Sequence, residues 1–217
     1  MRSENIYIVL VRANTLMGRI TRKLFQYDYT HVAISLEKDL DRLITFSRRR
    51  HYTPFDCGYM IENINCYAYG KNKNVKLKIF KVPVRKDSKQ EIEKYIDMVS
   101  KDKSYTFNFY SMLTMPIVHG FRIYKAHNCM SFVSKILKLS KEIEFNKEYY
   151  KYNIQDIDIL LSDYLVEESF FSKEGEDDKN YMSMRGILWN IVLFLLLNIK
   201  LLYRIIFKRR KMREEKW

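Results

Sequence analysis

The sequence predicts an α+β protein in which an antiparallel sheet packs on one helix and a separate apolar helix follows. The stretch at residues 29–36 is short and rich in β-branched residues, and it carries His31 near its start. This pattern is typical of a strand packed on at least one face. From Cys129 onward, apolar residues recur at the i, i+3, i+4, i+7 and i+8 spacing of a helix packed on a core. The 217 residues, 47% of them hydrophobic, suffice for one domain and an appendage.

The first elements predicted along the chain are a strand, a helix and a strand pair. The apolar run at residues 6–11 predicts a buried strand. Residues 16–25 predict an amphipathic helix, with Thr15 as its N-cap. The strand at residues 29–36 and a second one at residues 42–47 are separated by a short turn and are expected to pair.

The middle of the chain predicts two further strands and a helix. Residues 58–64 and 75–82 have strand patterns, and the polar stretch at residues 70–74 predicts the turn between them. Residues 88–99 carry apolar residues along one helical side, with Ser88 as the predicted cap.

The predicted domain covers residues 1–166 and ends with a helix at residues 157–165. Before the Cys129 helix lies an aromatic segment, residues 105–109. Residues 167–183 are rich in acidic side chains and predict an exposed linker. Residues 184–217 then form an apolar helix with a basic tail.

The net charge of +13 is concentrated at the C-terminus. Residues 181–217 contribute +7 of it, which indicates a basic tail rather than a basic nucleic-acid-binding face. The sequence has no zinc-finger spacing, helix-turn-helix signature or RNA-binding aromatic motif, so no nucleic-acid partner is expected.

The cysteine and histidine content argues against disulfides, metals and cofactors. Three cysteines form no disulfide framework, and no secretory signal is evident, so the domain is predicted to be cytoplasmic. Cys57, Cys66, His51 and His119 lack metal-ligand spacing, and no metal or other cofactor is expected.

Cys129 and His31 are the candidate nucleophile and base. A cysteine at the start of a helix lies at the positive end of the helix dipole, which favours the thiolate. If His31 meets this sulfur in space, the imidazole can accept the thiol proton and return it to a leaving group.

The motifs YTHVAISL, LITFSRRRHYTPFDCGYMIENI and NCMSFVSKIL occur in this order. Together they resemble the permuted papain-like superfamily, which includes the NlpC-type cell-wall peptidases and lecithin retinol acyltransferase, in the pattern of a bacterial branch. The resemblance covers roughly residues 5–165. It implies a permuted papain-like fold, with the histidine strand first and the helix of the cysteine nucleophile later.

The resemblance also implies a third residue, on the strand after the histidine strand, that orients the imidazole. This points to Thr45, which cannot stabilise an imidazolium as a carboxylate does. Ser47, on the same strand face, and Glu62, which offers a charge, are the alternatives. In the basic loop that follows, Arg48 and Arg49 are candidates for holding a phosphate or carboxylate of the substrate.

The expected activity is thiol hydrolysis or acyl transfer on an amide or ester bond of a peptide or lipid. The alternative is a membrane-associated binding or scaffold protein with the same fold and a catalytically weak or inactive site. Reactivity of Cys129 separates the two.

Residues 187–213 are predicted to bind a membrane surface. The run Ile187–Phe207 has the length of a membrane span, but its four polar residues fall within an arc of roughly 160° on a helical wheel. This arrangement is typical of a helix that lies in the bilayer surface, with the basic residues that follow it bound to anionic lipid. A tilted span and docking on another protein chain are the alternatives. The four polar residues are Asn190, Asn198, Lys200 and Arg204.

Overall fold

A six-stranded sheet forms the centre of the computed structural model, which describes residues 3–68, 73–173 and 175–214. Its spatial order is β4-β3-β2-β1-β5-β8, and all of its neighbouring strands are antiparallel. Two further short strands, β6 and β7, form a parallel pair. The strands are β1 (Ser3–Val11), β2 (His31–Ser35), β3 (Leu43–Arg48), β4 (Cys57–Glu62), β5 (Asn74–Arg85), β6 (Thr106–Phe107), β7 (Ala126–His127) and β8 (Leu165–Ser172).

The helices complete a mixed α+β architecture with a mostly antiparallel sheet, which confirms the predicted fold class at this level. Thr15 caps the first helix, as predicted, because its hydroxyl accepts a hydrogen bond from the Gly18 amide. Ser88 is not a cap, since its helix begins two residues earlier and the Ser88 side chain is buried within it. The helices are α1 (Leu16–Phe25), α2 (Lys86–Lys101), α3 (Phe109–Leu113), α4 (Met115–Val118), α5 (Cys129–Ser140), α6 (Ile154–Leu160), α7 (Ile187–Phe207) and α8 (Arg209–Glu214).

The main core lies between the sheet and the helices α2 and α5. Leu10 and Ile34 of the sheet belong to the same buried cluster as Phe132 and Ile136 of α5. On the other face of the sheet lies a smaller buried cluster, which includes Val11 and Ala33. Because both faces of β2 are covered, its residues are apolar in succession rather than strictly alternating. The second cluster consists of Val9, Val11, Ala33, Leu43, Tyr67, Ala68, Val75 and Leu77.

The first part of the predicted acidic linker is a strand. Residues 167–172 belong to β8, which pairs with the outer edge of β5. One of its acidic residues, Glu168, lies opposite Lys78 of β5 and forms an ion pair with Lys76 of the same strand, 2.5 Å apart. The linker prediction was wrong here because the charges are compensated across neighbouring strands.

Helix α7 begins and ends as predicted and lies against the domain. The ring centroids of Phe194 and Phe55 are 4.8 Å apart, and Arg204 is buried. Within the described ranges, α7 is the one helix long and apolar enough to cross a membrane. Most of the predicted turn at residues 70–74, and residues 215–217 of the basic tail, lie outside the described residues.

Candidate functional site

Cys129 is the first residue of α5, and its helix has a well-formed N-terminus. The Asn128 side chain accepts a hydrogen bond from the Ser131 amide at 2.8 Å, and the Ser131 hydroxyl accepts one from the Asn128 amide at 3.1 Å. This reciprocal capping fixes the start of the helix. The Cys129 side chain is therefore held at the positive end of the helix dipole.

His31 lies between Cys129 and Glu62. It is the first residue of β2, and β1 fixes its backbone through the pairing of Val11 with His31. Its Nε2 is 2.9 Å from Oε2 of Glu62, and its ring lies close enough to the Cys129 side chain for Cys129 to help raise the pKa of the imidazole. Because Nε2 is occupied by Glu62, Nδ1 is the ring nitrogen left without a partner from Glu62.

Glu62 is a buried carboxylate with three hydrogen-bonding partners. It is the last residue of β4 and lies deep in the protein. Besides His31, the hydroxyls of Ser47 and Tyr67 donate to it, the latter at 2.5 Å. Burial opposes ionisation, but His31 and the two hydroxyl donors outweigh it, so the pKa of Glu62 lies below its usual range.

The charge of Glu62 determines the protonation of His31. Burial pulls the pKa of the imidazole down, but the carboxylate of Glu62 and the contact with Cys129 raise it further than burial lowers it. The net result is a pKa of His31 well above its ordinary value. At neutral pH the structure therefore favours an imidazolium that lies between the carboxylate of Glu62 and the side chain of Cys129.

Thr45 does not contact His31. It is fully buried in β3, and its hydroxyl donates to the backbone carbonyl of Val32 at 2.9 Å. Ser47 contacts Glu62 rather than the imidazole. Of the three candidates for the third residue, Glu62 is the one hydrogen-bonded to His31, although its strand β4 is separated from β2 by β3.

Arg48 and Arg49 both have structural partners in the basic loop. Arg49 forms an ion pair with Asp56 at 3.2 Å and donates to the carbonyl of Cys57. Arg48 lies 3.5 Å from the His51 ring nitrogen and bonds Tyr181. These contacts hold both arginines within the fold, and their role in holding a substrate anion stays a prediction.

Two tyrosines at this site were missed in the sequence. Tyr67, which donates to Glu62, lies in a short 3-10 turn after β4, and its ring packs 5.5 Å from the ring of His31. Tyr181 belongs to the predicted linker, yet its side chain is buried and its carbonyl accepts a hydrogen bond from the His51 amide. No local pattern marks either residue, because both reach the site only through tertiary packing.

His127 belongs to a separate buried cluster. Its Nε2 is 2.9 Å from the Tyr95 hydroxyl, and its ring stacks on Tyr105. Burial, followed by the nearby charges of Lys135 and Arg122, lowers the pKa of His127 to about 3. Its imidazole is therefore neutral. In the part of the chain that the structure describes, no group of three metal-ligating side chains is found.

Replacing Tyr67 with phenylalanine should destabilise the protein by about 1.5–3 kcal/mol, because it removes a hydrogen bond to a buried charge and leaves the carboxylate with one donor fewer. The free energy of unfolding in urea measures this effect. Tyr52→Phe is the matched control, since the Tyr52 side chain is half exposed. Equal losses in the two variants would mean that the Tyr67 hydroxyl contributes nothing to the carboxylate.

Comparison with known proteins returned no match: no family model, no curated protein and no solved structure is similar to this chain. The fold and site define the class of the protein as a mixed α+β domain with a buried Cys–His–Glu cluster.

Proposed function

We propose that this protein is a thiol hydrolase or acyltransferase that acts on an amide or ester bond, with a permuted papain-like fold. The observation that carries the proposal is the position of His31, whose ring is hydrogen-bonded to Glu62 and close enough to Cys129 to interact with it. Nucleophile, base and orienting carboxylate in this order are the elements of covalent catalysis at a carbonyl carbon.

The reaction follows from the roles of these three groups. With the thiol proton held by His31, the Cys129 sulfur attacks the carbonyl carbon. The bond to the leaving amine or alcohol then breaks as His31 gives that proton to the leaving group. The acyl group is then a thioester on Cys129. Water, or an acceptor alcohol or amine, attacks this thioester while His31 takes its proton. The acyl product is released, and the Cys129 sulfur is restored with the proton again held by His31.

Two fixed parts of the structure support this chemistry. Glu62 holds the imidazole in one orientation and stabilises its positive charge. The Cys129 backbone N–H lies in the first turn of α5, where helix amides have no partner within the helix, and it is suited to donate to the oxyanion of the tetrahedral intermediate. The proposed substrate is a peptide or a lipid. The proposed location of the protein is the cytoplasm, in association with a membrane.

The alternative, a binding or scaffold protein with an inactive site, is favoured by one observation. The Cys129 residue is only 8% exposed, which leaves little of the sulfur open to a substrate. Reactivity toward a small electrophile and toward a larger acyl probe separates the two functions.

The test is the alkylation rate of each cysteine by iodoacetamide at mildly acidic pH, followed by peptide mass spectrometry. We expect Cys129 to react faster than Cys57 and Cys66, which are also buried thiols. Replacing His31 with alanine should slow the alkylation of Cys129 by about 10-fold, because the charged imidazole favours the reactive thiolate. The loss is not larger because a thiolate stabilised in this way is intrinsically a weaker nucleophile.

The two buried cysteines serve as internal controls, since burial raises the pKa of Cys57 to about 12 and that of Cys66 to about 11. A second assay uses an activated acyl ester and detects the acylated protein by mass spectrometry. The wild-type protein should gain one acyl group on Cys129, and the Cys129→Ala variant should gain none. Alkylation of Cys129 that is slow and indifferent to His31 would reject catalysis in favour of the scaffold.

A further inference from the structure

Helix α7 is fastened to the domain by its polar side. Arg204 is only 7% exposed, and its guanidinium donates to three backbone carbonyls, of Ser104, Tyr124 and Lys125. One helical turn and a half earlier, Asn198 accepts a hydrogen bond from the Tyr110 hydroxyl at 2.6 Å. The polar arc that the sequence predicted to face lipid headgroups therefore faces the protein.

The outer side of α7 is an unbroken apolar stripe. Leu195 and Ile199, at the middle of the helix, are 52% and 64% exposed. Their neighbours at spacings of three and four residues are exposed as well, so the stripe follows one side of the helix over about 27 Å. A contiguous apolar surface of this extent on a soluble domain marks a docking surface. The stripe consists of Leu188, Ile191, Leu195, Ile199, Leu202 and Ile206.

The charge beside the stripe indicates the occupant. The chain continues directly from α7 into Lys208, Arg209, Arg210 and Lys211, at the start of α8. Apolar side chains next to a run of cations match a bilayer that contains anionic lipid, which offers hydrocarbon and negative headgroups within a few ångströms of each other. A protein partner would need a matching apolar groove with an acidic rim.

We propose that the apolar stripe of α7 and the cations that follow it bind the surface of an anionic phospholipid bilayer, with the helix lying flat. This goes beyond the proposed chemistry, because it assigns a binding surface that does not involve Cys129. The helix enters the headgroup region by its outer side only, and the domain stays on the aqueous side.

The contacts of the inner side explain why α7 lies flat rather than crossing the bilayer. They extend from Phe194 to Arg204, which is about three turns of the helix. A crossing orientation would place the domain surface along these turns in hydrocarbon, including Lys125 and Asp102, which form an ion pair at 2.6 Å. Alternatively, α7 would have to detach from the domain, which would break the hydrogen bonds of Arg204 to its three carbonyls and leave a guanidinium in lipid.

The experiment measures binding of the full-length protein to vesicles of phosphatidylcholine, with and without phosphatidylglycerol, by sedimentation. We expect binding that requires phosphatidylglycerol and weakens with salt. Ile199→Glu should weaken it by at least about 10-fold, since it removes an apolar side chain from the bilayer and adds a charge of the wrong sign. Combined Lys208→Gln, Arg209→Gln and Lys211→Gln should weaken it by about 100-fold.

The matched control is Ile159→Glu. Ile159 lies in α6 and is 67% exposed, so the same substitution is made at a helical position of similar exposure away from α7. This variant should bind as the wild type does. Cys129→Ala should also bind normally, so a failure of the chemistry and a failure of the membrane surface are distinguished.

The depth of α7 is measured with one tryptophan, by Ile199→Trp in a Trp189→Phe, Trp217→Phe background. Bromine at shallow positions of the lipid chains should quench its fluorescence more than bromine at deep positions. Stronger quenching by the deep bromines would overturn the proposal, because it indicates a membrane span. A monomeric protein that binds neither kind of vesicle would also overturn it. So would self-association in solution that Ile199→Glu abolishes, because it indicates a second copy as the occupant.

Discussion

Glu62→Gln should lower kcat/KM by about 10²–10⁴-fold, the largest effect we expect from any substitution that preserves side-chain shape. The glutamine can occupy the same space beside His31, Ser47 and Tyr67, but it carries no charge. It also presents an N–H where the carboxylate accepted hydrogen bonds, so the tautomer and orientation of the imidazole are no longer held.

The same substitution should move the alkaline limb of the pH profile. In the wild type, Glu62 holds the pKa of His31 above its ordinary value, so the imidazolium that protonates the leaving group persists into alkaline solution. Without the carboxylate charge, burial dominates and lowers this pKa. Activity that depends on the imidazolium should therefore be lost at lower pH in the variant than in the wild type.

The measurement is the pH dependence of kcat/KM on an activated acyl ester, together with the alkylation rate of Cys129 over the same pH range. Glu93→Gln, at an exposed position of α2, is the matched control and should leave both profiles unchanged. Circular dichroism verifies that the Glu62 variant is folded. A folded Glu62→Gln protein with the rate and pH profile of the wild type would remove Glu62 from the mechanism.

Much of the fold could be predicted because the signals are local. The strand at His31, the helix that starts at Cys129 and the bounds of α7 each follow from the spacing of apolar residues over one element. The cap at Thr15 likewise depends on a contact three residues away. These features need no knowledge of which elements are neighbours in space.

The rest depends on which strands become neighbours. Thr45 was the first expectation for the third residue because it lies on the strand after His31, whereas Glu62 reaches the imidazole from two strands away. The strand character of residues 167–172 was hidden for the same reason: Glu168 suggests a solvated linker until its ion pair with Lys76 of β5 is known. The polar side of α7 suggests lipid headgroups until the carbonyls that bind Arg204 are known.

Phe132→Ala should destabilise the protein by about 3–5 kcal/mol, the largest loss of stability that we expect from one side chain. Phe132 is fully buried in α5, one turn after Cys129, and its ring lies among those of Phe46, Tyr59 and Tyr95 at centroid distances of 5.1, 6.3 and 6.2 Å. Truncation removes these contacts and leaves a cavity that rigid aromatic neighbours fill poorly. Denaturation in urea measures the loss, and Phe170→Ala, at a largely exposed position, should cost no more than about 0.5 kcal/mol.

Phe132 also connects the core to the chemistry, because the packing of α5 on the sheet sets the distance between Cys129 and His31. A shift of about 1 Å in a catalytic group can cost about 100-fold in rate. We therefore expect the folded Phe132→Ala protein to lose the dependence of Cys129 alkylation on His31, and Phe132→Leu, which keeps most of the volume, to retain it. If Phe132→Ala costs less than about 1 kcal/mol and leaves that dependence intact, the alignment of the two residues is set by the cap at Asn128 and by β2 rather than by the aromatic core.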